Sequence, residues 1–249
     1  MKRIIEVNQV TKSYQNEREA VLKDVSLTVE AGEFVVVMGP SGSGKSSLLY
    51  AISGMDQVSS GQILFNGLDI TKATDEEMSH LRLVKMGFVF QHAYLLKNKN
   101  ICENIMLPGI RLKNRTKEVI IKETNELMKS MGIEGIGDHA VSAVSGGQLQ
   151  RAAICRALIN RPQIIFGDEP TGALNKRAST EVMEILCRLN KQGITLFLVT
   201  HDAAVAAKAD RIIFLSDGRI QSEFRQKRWQ CDSAERTDRL NGWLQNQGF

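Results

Sequence analysis

Residues 39–47, Gly-Pro-Ser-Gly-Ser-Gly-Lys-Ser-Ser, constrain this chain more than any other stretch. They follow the apolar run Phe34-Val35-Val36-Val37-Met38 and precede the helix-like Leu48-Leu49-Tyr50-Ala51-Ile52. Gly39, Gly44, Lys45 and Ser46 fill the fixed positions of a phosphate-binding P-loop, in the strand–loop–helix context that the pattern requires. Glycines at 39, 42 and 44 let the backbone fold back until successive N–H groups face an anion, and the following helix adds its positive end. Pro40, Ser41, Ser43 and Ser47 complete the expected cradle. Lys45 is placed to reach β- and γ-phosphates, and the Ser46 hydroxyl to ligate Mg²⁺. The plainer alternative is a flexible Gly/Ser turn between a strand and a helix.

At 249 residues the chain holds one large domain, or one domain with a subdomain. With 43% hydrophobic and 24% charged residues it can bury a full core. The net charge of +4 suits nucleotide binding or a nearby anionic membrane surface and does not by itself argue for nucleic acid. Cys102, Cys155, Cys187 and Cys231 are far apart and form no metal-ligand pair, which points to reduced thiols in a cytosol. The apolar stretch after Met1-Lys2-Arg3 ends too soon for a signal peptide. The runs Phe34–Met38 and Ile194–Val199 fall far below the roughly 18 residues a membrane span needs.

Strands are expected at Ile4–Val10, Val21–Val29 and Phe34–Met38, with a turn at Asn16-Glu17-Arg18-Glu19. Asn66-Gly67 after Gln62–Phe65 marks a hairpin, and Asp217-Gly218 marks another. Thr74 and Glu77 form a capping box that opens a helix over 75–82. A strand follows at Gly87–Gln91, and then a mostly helical insertion over about 92–160. Within it, Ile120, Thr124, Leu127, Met128 and Met131 share a helical face. Ile164–Gly167 and Thr195–Val199 read as parallel strands covered on both faces, joined by a crossover helix over 177–190. From about Phe224 the chain is polar with anchors at Trp229, Leu240, Trp243 and Leu244, expected to dock back on the body, with a partner-binding helix as the alternative.

A P-loop needs a second carboxylate element. Asp168 and Glu169 end the strand Ile164–Gly167, where open α/β sheets bind ligands. Asp168 is assigned to Mg²⁺, and Glu169 to polarising an attacking water. Val144-Ser145-Gly146-Gly147-Gln148, followed by Leu149-Gln150-Arg151, supplies another anion site. Ser145 with Gln148 is a capping box, and Gly146 and Gly147 expose backbone N–H groups at a helix N-terminus. The helix is expected to turn Leu149, Ala153 and Ala157 to one face. One chain needs only one triphosphate cradle, so two sites suggest that the second covers the nucleotide of another copy.

This segment resembles the signature motif of ATP-binding-cassette ATPases, and the resemblance extends over nearly all of residues 3–221. It implies an α/β P-loop NTPase core of RecA-like type, with an N-terminal antiparallel β subdomain and an inserted helical subdomain. The nucleotide-binding domain would span 1–225, with a tail over 226–249. By the same resemblance Tyr14 matches the aromatic that stacks on adenine. Gln91 matches the glutamine that senses the γ-phosphate and Mg²⁺, and His201 the switch histidine at the γ-phosphate. The implied cofactors are ATP and Mg²⁺. The implied partners are a second cassette, giving a homodimer on ATP binding, and an integral membrane permease, with no nucleic acid. The protein would then sit on the cytoplasmic face of the cell membrane. One departure stands out: Thr171-Gly172-Ala173-Leu174-Asn175 resembles the D-loop, but the family usually has aspartate where this chain has Asn175. Loss of that charge predicts reduced but not absent activity.

Pro170–Leu174 and Glu103-Asn104-Ile105-Met106-Leu107-Pro108 resemble the group of macrolide-export, lipoprotein-release and cell-division cassettes. Tyr94-Leu95-Leu96, Gly172-Ala173-Leu174 and the tail sequence Asp238–Leu244 look nearest to BceA-like ATPases of antimicrobial-peptide resistance and sensing. Lipoprotein-release and cell-division types remain alternatives. A soluble cassette protein acting on nucleic acid or ribosomes is a different class, as is a nucleotide-binding regulator without turnover. The first of these usually has paired cassettes, a long coiled coil or zinc-binding cysteines, none of which the sequence shows.

Overall fold

Burial divides the strands into two kinds in the computed structural model, which describes residues 2–14, 19–229 and 234–249. Most of the turn expected at 16–19, and Cys231, lie outside the described residues. β1 (Arg3–Lys12) and β2 (Leu22–Glu30) alternate buried and exposed positions, whereas β3 (Phe34–Met38) is buried along its whole length. A bulge at Gln9 (φ 49°) shifts the alternation of β1. The chain continues through α1 (Lys45–Ile52), β4 (Ser60–Phe65), β5 (Leu68–Asp69), α2 (Asp75–Lys85), β6 (Met86–Phe90) and α3 (Ile101–Leu112). α4 (Lys117–Ser130), α5 (Gly146–Leu158), β7 (Ile164–Asp168), α6 (Lys176–Lys191) and β8 (Thr195–Val199) follow. α7 (Ala203–Ala206), β9 (Arg211–Ser216), β10 (Arg219–Arg225) and α8 (Ala234–Asn246) close the chain. Its contacts divide it into two units, Met1–Met78 with Asn190–Phe249, and Ser79–Leu189.

The first unit holds two sheets. One is antiparallel, in the order β2-β1-β4-β5. Its last hairpin pairs Phe65 with Leu68 around Asn66 (φ 50°) and Gly67 (φ 82°), the left-handed pair that a two-residue hairpin requires. In the other, β3 lies parallel to both β8 and β9, and β10 returns antiparallel to β9 through Asp217 (φ 52°) and Gly218 (φ 74°). β3 and β8 are fully buried, as expected of parallel strands covered on both faces. Arg211 is buried in β9, with its Nε 2.8 Å from Glu33 Oε1 and its Nη1 3.3 Å from Glu223 Oε1, so the buried charge is paired.

The tail returns to this unit. Leu240 and Leu244 of α8 are buried, and Trp243 stacks on Phe224 with ring centroids 5.3 Å apart. The Arg236 guanidinium donates to the carbonyls of Ala207, Ala209 and Lys227. Trp229 has the Lys191 and Lys208 ammonium groups 4.4 and 5.1 Å from its ring centroid.

In the second unit β6 and β7 pair in parallel, with α3, α4 and α5 and most of α2 and α6 around them. This unit is wider than the helical insertion expected over 92–160. α3 begins with a reciprocal capping box, Asn100 Oδ1 accepting from Glu103 N (2.8 Å) and Glu103 Oε2 from Asn100 N (3.0 Å). It runs on past Pro108 although a proline removes one helix hydrogen bond. α4 buries Ile120, Thr124 and Met128, with Met131 buried just beyond its end and Leu127 half-buried. On α5, Leu149, Ala153 and Ala157 share one side of the helix as expected. Gln150, Ala153, Ile154 and Leu158 are buried, while Leu149 and Ala157 are only half-buried.

Candidate functional site

The loop 39–44 is shaped by close backbone approaches within the first unit. Gly39 has φ 150°, and a Cβ there would lie 1.9 Å from the Leu215 carbonyl oxygen. Gly44, at φ 96°, is the N-cap of α1, and a Cβ on it would meet the Val21 carbonyl oxygen at 2.8 Å. Only glycine fits either place. Ser43 and Gly44 are buried, Pro40, Ser41 and Gly42 are exposed, and Lys45, Ser46 and Ser47 are half-buried. The Gly218 amide of the β9–β10 turn donates to the Ser43 carbonyl at 3.2 Å. The Lys45 ammonium donates to the carbonyls of Gly39 and Pro40, both at 2.8 Å. Ser43 Oγ is buried with no hydrogen-bond partner, a polar atom inside the loop still able to bind.

Strand register places His201. Val37 pairs with Val199 in parallel, so Gly39 and His201, each two residues on, leave neighbouring strands at one level. Thr200 is buried, and its amide donates to the Val37 carbonyl at 3.2 Å. Asp202 then starts α7 by accepting the Ala204 amide at 2.7 Å, leaving His201 exposed at the strand end. Tyr14, 38% exposed, donates its hydroxyl to Asp56 Oδ2 at 2.9 Å. Burial tends to raise the Asp56 pKa, but hydrogen bonds from Lys12 and Tyr14 outweigh it and hold the carboxyl below its usual value.

The second unit repeats the register logic. Phe90 pairs with Asp168, so Gln91 and Glu169 leave β6 and β7 at one level. Glu169 has φ 49°, in the left-handed region that a non-glycine residue adopts only when its surroundings enforce it. A Cβ on Gly172 would stand 3.1 Å from Gln91 Nε2, so the glutamine side chain lies against that glycine. Gln150, which the motif reading gave no role, is 1% exposed and donates from Nε2 to the carbonyls of Phe90 (2.8 Å) and Pro170 (2.7 Å). It ties the residue before Gln91 to the residue after Glu169. Its place in the sequence gave no sign of this, because its partners are 60 and 20 residues away.

The capping box expected at Ser145 is present, with Gln148 N donating to Ser145 Oγ (3.4 Å) and Ser145 N to Gln148 Oε1 (2.9 Å). Gly147 needs no Cβ because one would stand 3.0 Å from the Ala178 Cβ, bringing the starts of α5 and α6 together. Ser145–Gly147 and Ala173–Asn175 line one open cleft flanked by Arg151 and Arg177, both paired to Glu181 at 3.0 and 3.1 Å. Asn175 accepts the Ala178 amide at 2.9 Å and so caps α6. The segment after Gln91 is held from two helices. Arg156 of α5 donates to the Ala93 and Tyr94 carbonyls (2.8 and 2.7 Å), and the fully buried Asn104 of α3 exchanges bonds with Leu96. Tyr94 (66%) and Leu96 (48%) stand exposed between these clamps.

The glycine cradle suits a polyphosphate, and the Ser46 hydroxyl at its end is an oxygen donor of the kind a hard cation takes. Among the described residues no cluster of three or more His, Cys, Asp or Glu side chains could hold a metal by itself, and no helix is long and apolar enough to cross a membrane.

Comparison with known proteins matches residues 22–172 to the family described as ABC transporter. The ABC transporter ATP-binding protein YvrO of Bacillus subtilis is 40% identical over 87% of this chain and 95% of its own length. The macrolide export ATP-binding/permease protein MacB of Pasteurella multocida is 41% identical over 87% of this chain, which spans only 34% of that longer protein. Among solved structures, the dimeric post-hydrolysis state of the ATP-binding cassette MJ0796, bound to ADP and Pi, superposes with a TM-score of 0.83 at 38% identity, covering 89% of this chain and 98% of that one.

Proposed function

This chain belongs to the ABC transporter family as an ATP-binding ATPase subunit, and we propose that it works as a homodimer driving a separate integral membrane permease from the cytoplasmic face. The observation that carries this reading is that one chain holds two anion-ready elements. Its first unit has the glycine cradle of residues 39–46, and its second has the Ser145–Gly147 helix start in a cleft of its own. One copy needs one cradle, so the signature segment is left to cover the nucleotide of the other. The dimer of MJ0796 supports this arrangement.

In this reading Tyr14 stacks on the adenine, residues 39–47 wrap the phosphates, and Lys45 neutralises them. Ser46, Gln91 and Asp168 would hold Mg²⁺, which when bound offsets charge on the β- and γ-phosphates. Glu169 polarises the attacking water, and His201 with the partner's signature serine stabilises the γ-phosphoryl group. Catalysis is then positioning plus electrostatics, with little covalent chemistry for the protein to perform. Closure and opening of the dimer pass to the permease through the segment after Gln91, where Tyr94 and Leu96 offer exposed apolar surface on a backbone clamped by Arg156 and Asn104.

For the cargo we infer antimicrobial peptides, in resistance or sensing, from Tyr94-Leu95-Leu96, Gly172-Ala173-Leu174 and the tail sequence Asp238–Leu244. The test is to tag the protein in its native host, solubilise membranes in mild detergent and identify what co-purifies. A stoichiometric multi-span permease is expected. Its extracellular domain separates peptide resistance from macrolide export, lipoprotein release or cell division. Recovery only from the soluble fraction, with ribosomes, nucleic acid or nothing attached, overturns the membrane assignment.

A further inference from the structure

Tyr14 is held more firmly than a lone stacking ring requires. Its hydroxyl donates to Asp56 Oδ2 at 2.9 Å, and Oδ1 of the same carboxylate accepts the Lys12 ammonium at 2.7 Å. That ammonium also donates to the Gln57 carbonyl at 2.6 Å and lies 4.5 Å from the centroid of the Tyr14 ring. Lys12, at the end of β1, is 8% exposed, so its charge is withdrawn from water and satisfied inside this cluster. Asp56 lies in the loop just after α1, the helix that the phosphate cradle opens.

Two consequences follow. One face of the ring is occupied by a cation, so a planar base stacks on the other. The ring is also anchored to the loop that ends α1, so its position relative to the cradle is set before any ligand arrives. A side chain already fixed loses less rotamer freedom on binding than a mobile one.

We propose that Asp56 and Lys12 are positioning residues for the nucleobase, locking Tyr14 at a set orientation and distance from residues 39–46. This rests on the reading of Tyr14 as the base-stacking aromatic and adds two residues that no motif marks. The competing account is that the Lys12–Asp56 pair only ties β1 to the end of α1.

Binding of ATP and of inorganic tripolyphosphate, which has no base, separates the two accounts by calorimetry. Asp56→Ala should weaken ATP about fivefold and leave tripolyphosphate unchanged, because an oriented ring–base stack contributes a modest, sequence-tolerant part of affinity. In steady state the same variant should raise KM for ATP without lowering kcat. Asp56→Asn keeps an oxygen acceptor for the Tyr14 hydroxyl and should recover most of the loss. Tyr14→Phe removes only that hydroxyl from a partly exposed ring, and should mimic Asp56→Ala even if the latter folds poorly. Equal weakening of ATP and tripolyphosphate in Tyr14→Phe and Asp56→Asn would mean structural support only, and sinks the proposal. Tyr14→Ala distinguishes the two levels of failure. If it binds ATP like the parent protein, the stacking reading itself is wrong. If it loses ATP affinity while Asp56→Ala and Tyr14→Phe do not, only the positioning role is wrong.

Discussion

The Asn175 side-chain oxygen accepts the Ala178 amide at 2.9 Å, while its carbonyl accepts the Ser179 amide at 2.9 Å. The residue that departs from the family's aspartate is therefore the N-cap of α6, a task that asparagine and aspartate perform about equally well. Capping does not need the charge, so any consequence of its loss lies in turnover and not in the fold. Asn175→Ala is expected to cost about 1 kcal/mol in chemical denaturation. Asn175→Asp is expected to leave the melting temperature unchanged and to raise the ATPase rate. If the rate and ATP-driven dimerisation both stay the same, the missing charge has no functional weight.

Glu169 combines a left-handed backbone (φ 49°) with the position level with Gln91. Glu169→Gln keeps the size and the backbone but removes the carboxylate. Turnover is expected to fall roughly 10²- to 10³-fold, with ATP affinity preserved. ATP-bound dimers should then accumulate on size-exclusion chromatography. Undiminished hydrolysis would remove Glu169 from its role.

Gln150 uses its amide group on the carbonyls of Phe90 and Pro170, at 2.8 and 2.7 Å, in a nearly dry setting. Gln150→Ala leaves those carbonyls short of a donor and is expected to cost about 2–4 kcal/mol in urea unfolding. Because those carbonyls flank Gln91 and Glu169 in sequence, kcat should drop while the dissociation constant for ATP holds. A loss of stability with kcat intact would reduce Gln150 to a packing residue.

Cys155 is buried, and burial pushes its thiol pKa from 9.0 up to about 12, against a small opposing pull from a backbone hydrogen bond and Arg151. An unfolded thiol ionises near its ordinary pKa while the folded one keeps its proton, so the unfolded state binds fewer protons above pH 9 and stability falls between about pH 9 and 12. Below that window this group contributes no pH dependence. At pH 8 a thiol reagent should leave Cys155 unmodified in the native protein and label it after denaturation. Labelling of the folded protein at the rate of a free thiol would contradict the burial.

What could be read from the sequence shares one property, short range. The P-loop, the hairpins at Asn66-Gly67 and Asp217-Gly218, and the capping boxes at Thr74 and Ser145 each close within a few residues. Local chemistry specifies the hairpins and the capping boxes, the hairpins down to the left-handed backbone that Gly67 and Gly218 supply. In the P-loop, close approach to Leu215 and Val21 adds to the demand for glycine at 39 and 44. The box that opens α3 was equally local, Asn100 with Glu103, but Pro108 within the same stretch masks the helix from a propensity reading.

Sequence alone thus determined the chemical parts: a glycine cradle with its lysine and serine, carboxylates at a strand end, and a helix start made to face an anion. Tertiary structure decided how those parts are held. Parallel register sets Gly39 level with His201 and Gln91 level with Glu169, and register depends on which buried faces meet across the sheet. Asp56 finds Tyr14 across 42 residues, and Gln150 finds Phe90 across 60. A polar side chain satisfied at that distance leaves no periodic trace, because its partner is a single atom delivered by the packing of the rest.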